Sequence, residues 1–88
     1  MTTQKERARA LAVAAERVAA LNELRTDDFQ DEVVRVIDDA RELWRGANGD
    51  LPSAGSDPLF DALIALADES EGSPEEVRDA VARARHVA

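Results

Sequence analysis

The sequence has 88 residues, of which 44% are hydrophobic and 34% are charged, with a formal net charge of −8 and no cysteine. A chain of this length forms one domain, residues 1–88, and is too apolar to remain disordered. The missing cysteine excludes disulfide scaffolds, thiolate zinc sites and cysteine nucleophiles. Because no apolar run reaches the ~20 residues that cross a bilayer, we expect a cytoplasmic protein without a membrane partner.

The charge is unevenly distributed along the chain. Residues 1–25 carry five basic and three acidic side chains, residues 26–76 carry three and fifteen, and residues 77–88 carry three and one. Affinity for phosphates requires clustered Lys and Arg, so no direct nucleic-acid partner is expected. The acidic middle could steer a basic partner or could serve solubility alone.

The first predicted helix spans residues 4–25, which contain no Pro or Gly and are rich in Ala, Leu, Arg and Glu. Its apolar sector is about 200° wide, against roughly 100° for an ordinary surface helix. One stripe is formed by Leu11, Ala14, Ala15, Val18 and Leu21, and a second set widens it: Ala10, Val13, Ala20 and Leu24. The helix either runs through the centre of its own bundle or offers a second face to another chain.

The second predicted helix spans residues 28–45 and has one buried face, because apolar residues recur at three- and four-residue steps from Phe29 to Trp44. Its outer face is acidic and consists of Asp28, Asp31, Asp38 and Glu42. We expect ion pairs within the helix from Asp31 to Arg35, Asp38 to Arg41 and Glu42 to Arg45. Gly46 is a natural stop.

Two shorter helices follow a loop at residues 46–57. The third spans residues 58–70, with Asp57 as its N-cap and Pro58 at its first position, and we expect it to be the most buried. The fourth spans residues 74–87, with Ser73 and Glu76 forming a capping box. The short connection between them predicts an antiparallel hairpin. The fold class is therefore all-α, a four-helix bundle.

Two short motifs resemble known families. The segment SDPLFDAL resembles the modified-serine region of acyl carrier proteins, but Pro58 stands in the place of the serine that would carry phosphopantetheine. The segments GSDPLF and SPEEV are similar in position and order to those of the small acidic immunity proteins that neutralise bacterial nuclease toxins. That resemblance implies a toxin-facing role for Asp57 and Phe60, although the family's paired tyrosines are missing. A helix cap and a core aromatic explain the same two residues.

The residue inventory predicts neither an enzyme nor a metal site. His86 is the only histidine and lies in the last helical turn, where a cation complements the helix dipole. Adjacent carboxylates such as Asp38 and Asp39 lack the loop spacing of a calcium site. A nucleophile needs a base within hydrogen-bonding reach, and no such pair is visible. We expect no catalytic residue, no metal and no cofactor.

Protein association is the remaining explanation for the wide apolar sector of the first helix. A helix of 22 residues spans about 33 Å, and we expect part of it to project beyond its shorter neighbours. The candidate interface is Leu11, Val13, Val18, Leu21 and Leu24. We expect an adaptor or regulatory protein that forms a homodimer through this helix. The alternative is an acidic inhibitor or immunity-type protein that blocks a basic toxin or nucleic-acid enzyme, for example as a DNA mimic.

Overall fold

A computed structural model describes residues 3–88 as an all-α four-helix bundle, as the sequence predicts. The helices are α1 (Gln4–Leu24), α2 (Phe29–Arg41), α3 (Pro58–Glu69) and α4 (Pro74–Val87). A 3₁₀ turn, Glu42–Trp44, continues α2. Met1 and Thr2, the first residues of the expected 1–88 domain, lie outside the described residues.

Helix α1 packs against α2, α3 and α4, and α3 likewise packs against the other three helices. The hydroxyl of Thr3 caps its first turn by accepting a hydrogen bond from the Glu6 N–H at 3.2 Å. Leu11, Ala14, Ala15 and Val18 are buried on its inner face. Burial within its own bundle, the first of the two explanations for the wide apolar sector, therefore accounts for this stripe.

Both ends of α1 are attached to the rest of the bundle, so the expected projection is wrong. Near the start, the Arg7 guanidinium donates from Nε to the Leu43 carbonyl at 2.9 Å. Near the end, the Asn22 amide donates to the Pro74 carbonyl at 3.1 Å. The 3₁₀ turn lengthens α2, and the connection between α3 and α4 reaches the other end of α1, so neighbours accompany its length.

Helix α2 begins and ends slightly inside its predicted bounds. Asp28 is the N-cap residue but its side chain makes no capping hydrogen bond. The last turn tightens at Glu42, and Arg45 adopts an extended conformation that ends the element one residue before Gly46. The pairs Asp38 with Arg41 (3.2 Å) and Glu42 with Arg45 (3.0 Å) form as predicted.

Helices α3 and α4 form the predicted antiparallel hairpin and begin at the predicted caps. The Asp57 carboxylate accepts from the Leu59 N–H at 2.9 Å, and the Ser73 hydroxyl accepts from the Glu76 N–H at 3.3 Å. In a standard capping box the glutamate side chain accepts from the backbone N–H of the N-cap residue. Here the Glu76 carboxylate instead accepts from the Ser73 hydroxyl. In α3 only Pro58 and Asp68 are exposed, which confirms its deep burial.

All four helices contribute to one hydrophobic core. Its aromatic end is formed by Trp44 and Phe60, whose ring centroids lie 5.8 Å apart with planes tilted by 53°. The fully buried aliphatic centre is Leu11, Val18, Val33, Ile37, Leu63, Leu66 and Val77. In the part of the chain that the structure describes, no helix is long and apolar enough to cross a membrane.

Candidate functional site: an apolar groove between α1 and α2

A surface groove runs between α1 and α2. It consists of two adjoining depressions with volumes of about 440 Å³ and 350 Å³. Arg17 and Val36 line both depressions and therefore mark the middle of the groove. The lining comprises Glu6, Arg9, Ala10, Val13, Ala14, Arg17, Ala20, Leu21 and Leu24 from α1, with Glu32, Arg35, Val36, Asp39, Ala40 and Leu43 from the second helix and its 3₁₀ turn. We call this set the α1–α2 groove.

The groove is the surface part of the wide apolar sector of α1. Val13 is 49% exposed and Leu24 is 71% exposed, whereas Leu21, Val36 and Leu43 are half-buried and form the floor. Ala10 and Ala20 lack bulk, so the space between the larger side chains stays open. An apolar strip about 27 Å long, from Glu6 to Leu24, results from this arrangement.

The charges around the groove are balanced. Three arginines (Arg9, Arg17, Arg35) and three carboxylates (Glu6, Glu32, Asp39) line it, in a chain whose formal net charge is −8. Within residues 3–88 none of these six side chains takes part in an ion pair of 4.0 Å or less. The groove therefore offers an apolar floor with unpaired charges of both signs on its rims.

The structure divides the predicted interface into core and surface. Leu11 and Val18 are fully buried inside the protomer's own core, so they are unavailable to a second chain. Leu21 is half-buried, and Val13 and Leu24 are exposed in the groove. Sequence reasoning missed the part of the floor that the second helix and its 3₁₀ turn contribute, Val36 and Leu43. Their position on the flank of the buried stripe of α2 was the available signal.

The acidic face of α2 lies on the surface but is partly neutralised. Asp28, Asp31, Asp38 and Glu42 are all exposed. Arg45 lowers the pKa of Glu42, first through its hydrogen bond and then through its charge. The third expected pair is absent within residues 3–88, because Arg35 lines the groove and does not reach Asp31. Asp28 and Asp31 are the carboxylates of this face without an arginine partner.

Asp57 and Phe60, to which the immunity-protein resemblance assigns a role, both make contacts inside the bundle. One oxygen of Asp57 caps α3, while the other accepts a hydrogen bond from the Trp44 indole at 2.9 Å. Phe60 is 6% exposed and packs against Trp44. Neither side chain is available to another protein as the immunity-protein resemblance implies.

The charged side chains that line the α1–α2 groove are the three arginines and three carboxylates of its rims. Among the described residues, the lining contains no Ser, Thr, Lys or His. No three His, Asp or Glu side chains within residues 3–88 are grouped as a metal site requires. A larger depression of about 530 Å³ lies between α3 and α4, and its lining combines Ala62, Ala65 and Val87 with Asp61 and Arg83.

Comparison of the chain with protein families, with curated proteins and with solved structures finds no match. The functional argument therefore rests on the geometry and chemistry of the α1–α2 groove.

Proposed function

We propose that this protein acts by binding another protein chain in the α1–α2 groove, as a small helical adaptor or regulatory protein. The observation that supports this proposal is the exposure of Val13 and Leu24 on one apolar strip. Single exposed aliphatic side chains are ordinary, whereas a contiguous apolar groove marks an interaction site. The strip has the length and shape that accept an amphipathic helix.

The energetic argument concerns burial. Covering a Leu or Val side chain stabilises a complex by roughly 1.5–3 kcal/mol when the side chain passes from full exposure to full burial. Val13 and Leu24 are partly exposed, so burying them in a complex would yield part of this free energy, and the half-buried Leu21 and Val36 would add to it. The unpaired charges on the rims would set orientation and partner choice more than affinity. The predicted homodimer and cytoplasmic location belong to this proposal.

The test compares substitutions inside and outside the groove. We expect Val13→Arg and Leu24→Asp to abolish binding, because each substitution would bury an unpaired charge in the complex. Val34→Asp is the matched control, since Val34 is 45% exposed on α2 but does not line the groove. Self-association is measured by light scattering, and other partners by affinity capture, identification and direct titration of the purified partner. Circular dichroism checks that each variant remains helical.

Two results would contradict the proposal. One is a protein whose self-association and partner binding are insensitive to both groove substitutions. The other is equal loss of binding in Val34→Asp, which would move the interaction to a different surface.

The alternative proposal is an acidic inhibitor that covers the basic surface of a toxin or nucleic-acid enzyme. The unpaired carboxylates of Asp28 and Asp31 on the exposed face of α2 favour it. Binding of this kind is steered by charge, so its association rate would fall steeply as salt rises. Asp28→Asn with Asp31→Asn would remove it, whereas Val13→Arg would leave it intact.

A further inference from the structure

The exposed stripe of α1 has the spacing of a coiled-coil seam. Ala10, Val13, Arg17, Ala20 and Leu24 follow one another at steps of three, four, three and four residues. This alternation is the a/d pattern by which two helices pack along their length. In the structure the inner stripe, Leu11 to Val18, faces the bundle, and the seam remains on the surface of the groove.

We propose that the occupant of the α1–α2 groove is a second copy of this chain, with the two α1 helices antiparallel across a two-fold axis. This inference deepens the proposed function and rests on it. The register that the charges select places Ala10 opposite Ala20, Val13 opposite Arg17 and Leu24 opposite Glu6 of the second copy. Paired alanines let the helices approach closely, and the aliphatic stem of each arginine covers a valine.

Charge complementarity selects the antiparallel arrangement. In this register Arg9 of each chain lies beside Glu23 of the other, one pair at each end of the seam. Both side chains are exposed, and neither has an ion-pair partner within residues 3–88 of its own chain. Glu16, which meets its own copy at the centre of the same edge, is already bound by Arg85 of its own chain at 2.7 Å.

Helix α2 supplies a second set of matched charges at the same axis. The register places the two-fold axis at the level of residue 15, between Val13 and Arg17, and Val36 lines the same depression as these two residues, so the axis passes near the level of Val36. Arg35 and Asp39 flank this level on the exposed side of α2. The axis brings Arg35 of one chain towards Asp39 of the other. Rim charges on both helices are thus self-complementary about one axis.

The size of the face indicates a reversible dimer. A surface two helices wide and about 30 Å long offers roughly 600 Å² per protomer. Standard specific interfaces bury about 800 Å² per partner, so this one lies at the lower end of the range. We expect self-association that depends on concentration in the micromolar range, in place of an obligate dimer.

The first experiment is a charge swap read by analytical ultracentrifugation at low salt. We expect Arg9→Glu and Glu23→Arg each to weaken the dimer about tenfold, because two attractive pairs become repulsive. The double variant R9E/E23R restores both pairs with reversed sign and is expected to regain wild-type affinity. The control Asp68→Arg, at an exposed carboxylate of α3 that does not line the α1–α2 groove, should leave affinity within about twofold.

The second experiment is a cross-link, for which the natural absence of cysteine is convenient. We expect a mixture of Ala10→Cys and Ala20→Cys chains to form the mixed disulfide under mild oxidation much faster than either variant alone. A parallel pair would instead cross-link each variant with itself.

The outcomes separate this inference from the proposed function. A dimer that depends on Val13 and Leu24 but that R9E/E23R fails to restore would overturn the antiparallel register and leave groove binding intact. A strictly monomeric protein up to millimolar concentration would overturn the second copy as occupant, while a different protein bound through Val13 would still support the proposed function.

Discussion

Asp57 makes two different contacts with the two oxygens of one carboxylate. One oxygen caps α3 through the Leu59 N–H, and the other accepts from the indole N–H of Trp44. The side chain therefore connects the start of α3 to the end of the α2 segment through the buried aromatic pair. A residue that the sequence marks only as a helix cap also positions the tryptophan.

We expect Asp57→Ala to lower the free energy of unfolding by about 2 kcal/mol. Loss of a cap costs about 1 kcal/mol, and the indole N–H, left without its acceptor, adds a penalty of about 1 kcal/mol or more. Asp57→Asn keeps one acceptor oxygen and replaces the other with an NH2 donor, so it should preserve either the cap or the indole contact and recover about half of the loss. Urea unfolding followed by Trp44 fluorescence measures the change. Equal destabilisation by Asp68→Ala, which removes an exposed carboxylate from the same helix, would contradict this explanation.

At the scale of elements, the corner after α1 is fixed by a small polar network. Asn22 is 5% exposed, and its side-chain NH2 group donates to the Pro74 carbonyl. Its side-chain Oδ1 accepts from Arg25 Nε at 3.0 Å. Arg25 adopts a left-handed conformation with φ of 44°, and its guanidinium lies 4.4 Å from the Phe29 ring centroid. The network joins the end of α1 to the starts of α2 and α4.

We expect Asn22→Ala to destabilise the protein by about 1–3 kcal/mol, because the Pro74 carbonyl and the Arg25 guanidinium lose a partly buried partner. The effect should be concentrated at the first turn of α4, where amide hydrogen exchange would accelerate ahead of the other helices. Gln30→Ala is the control, since its 3.5 Å contact with the Ser70 carbonyl lies at an exposed side chain. Uniform acceleration across all helices would contradict a local role for Asn22.

The elements that the sequence predicts correctly are those with local signals. Pro58 and Pro74 each follow a capping side chain, and both helix starts lie where predicted. The division of α1 between core and groove depends on how three other helices cross it, and no periodicity in α1 contains that information. The Asp57–Trp44 contact and the left-handed Arg25 are likewise products of tertiary packing, which can override local preference.

At the scale of the whole molecule, the net charge of −8 opposes any self-association. A dimer doubles this charge, and like net charges repel over distances comparable to the Debye length, about 10 Å at 0.1 M salt. The apolar strip and the balanced rims of the α1–α2 groove provide the local attraction that would offset this repulsion.

We expect the dissociation constant of the dimer to change by less than about threefold between 50 mM and 500 mM salt. Salt weakens the four exposed ion pairs between the chains, two of Arg9 with Glu23 and two of Arg35 with Asp39. It also weakens the net repulsion, and apolar burial is little affected by moderate salt. Sedimentation across a salt series measures this. Weakening by more than tenfold over the same series would indicate an interface governed by charge and would contradict the main role given to apolar burial.

The packing of α1 against three later helices also has a consequence for the order of events on the ribosome. Helix α1 emerges before the other three helices, yet its buried face is covered by α2, α3 and α4, and Val77, Val81 and Ala84 of α4 belong to the same core. Nascent chains that lack α4 leave Leu11 and Val18 uncovered together with the groove. Cooperative folding therefore has to wait until the last helix has left the exit tunnel, and chaperone binding to α1 before that point would be expected.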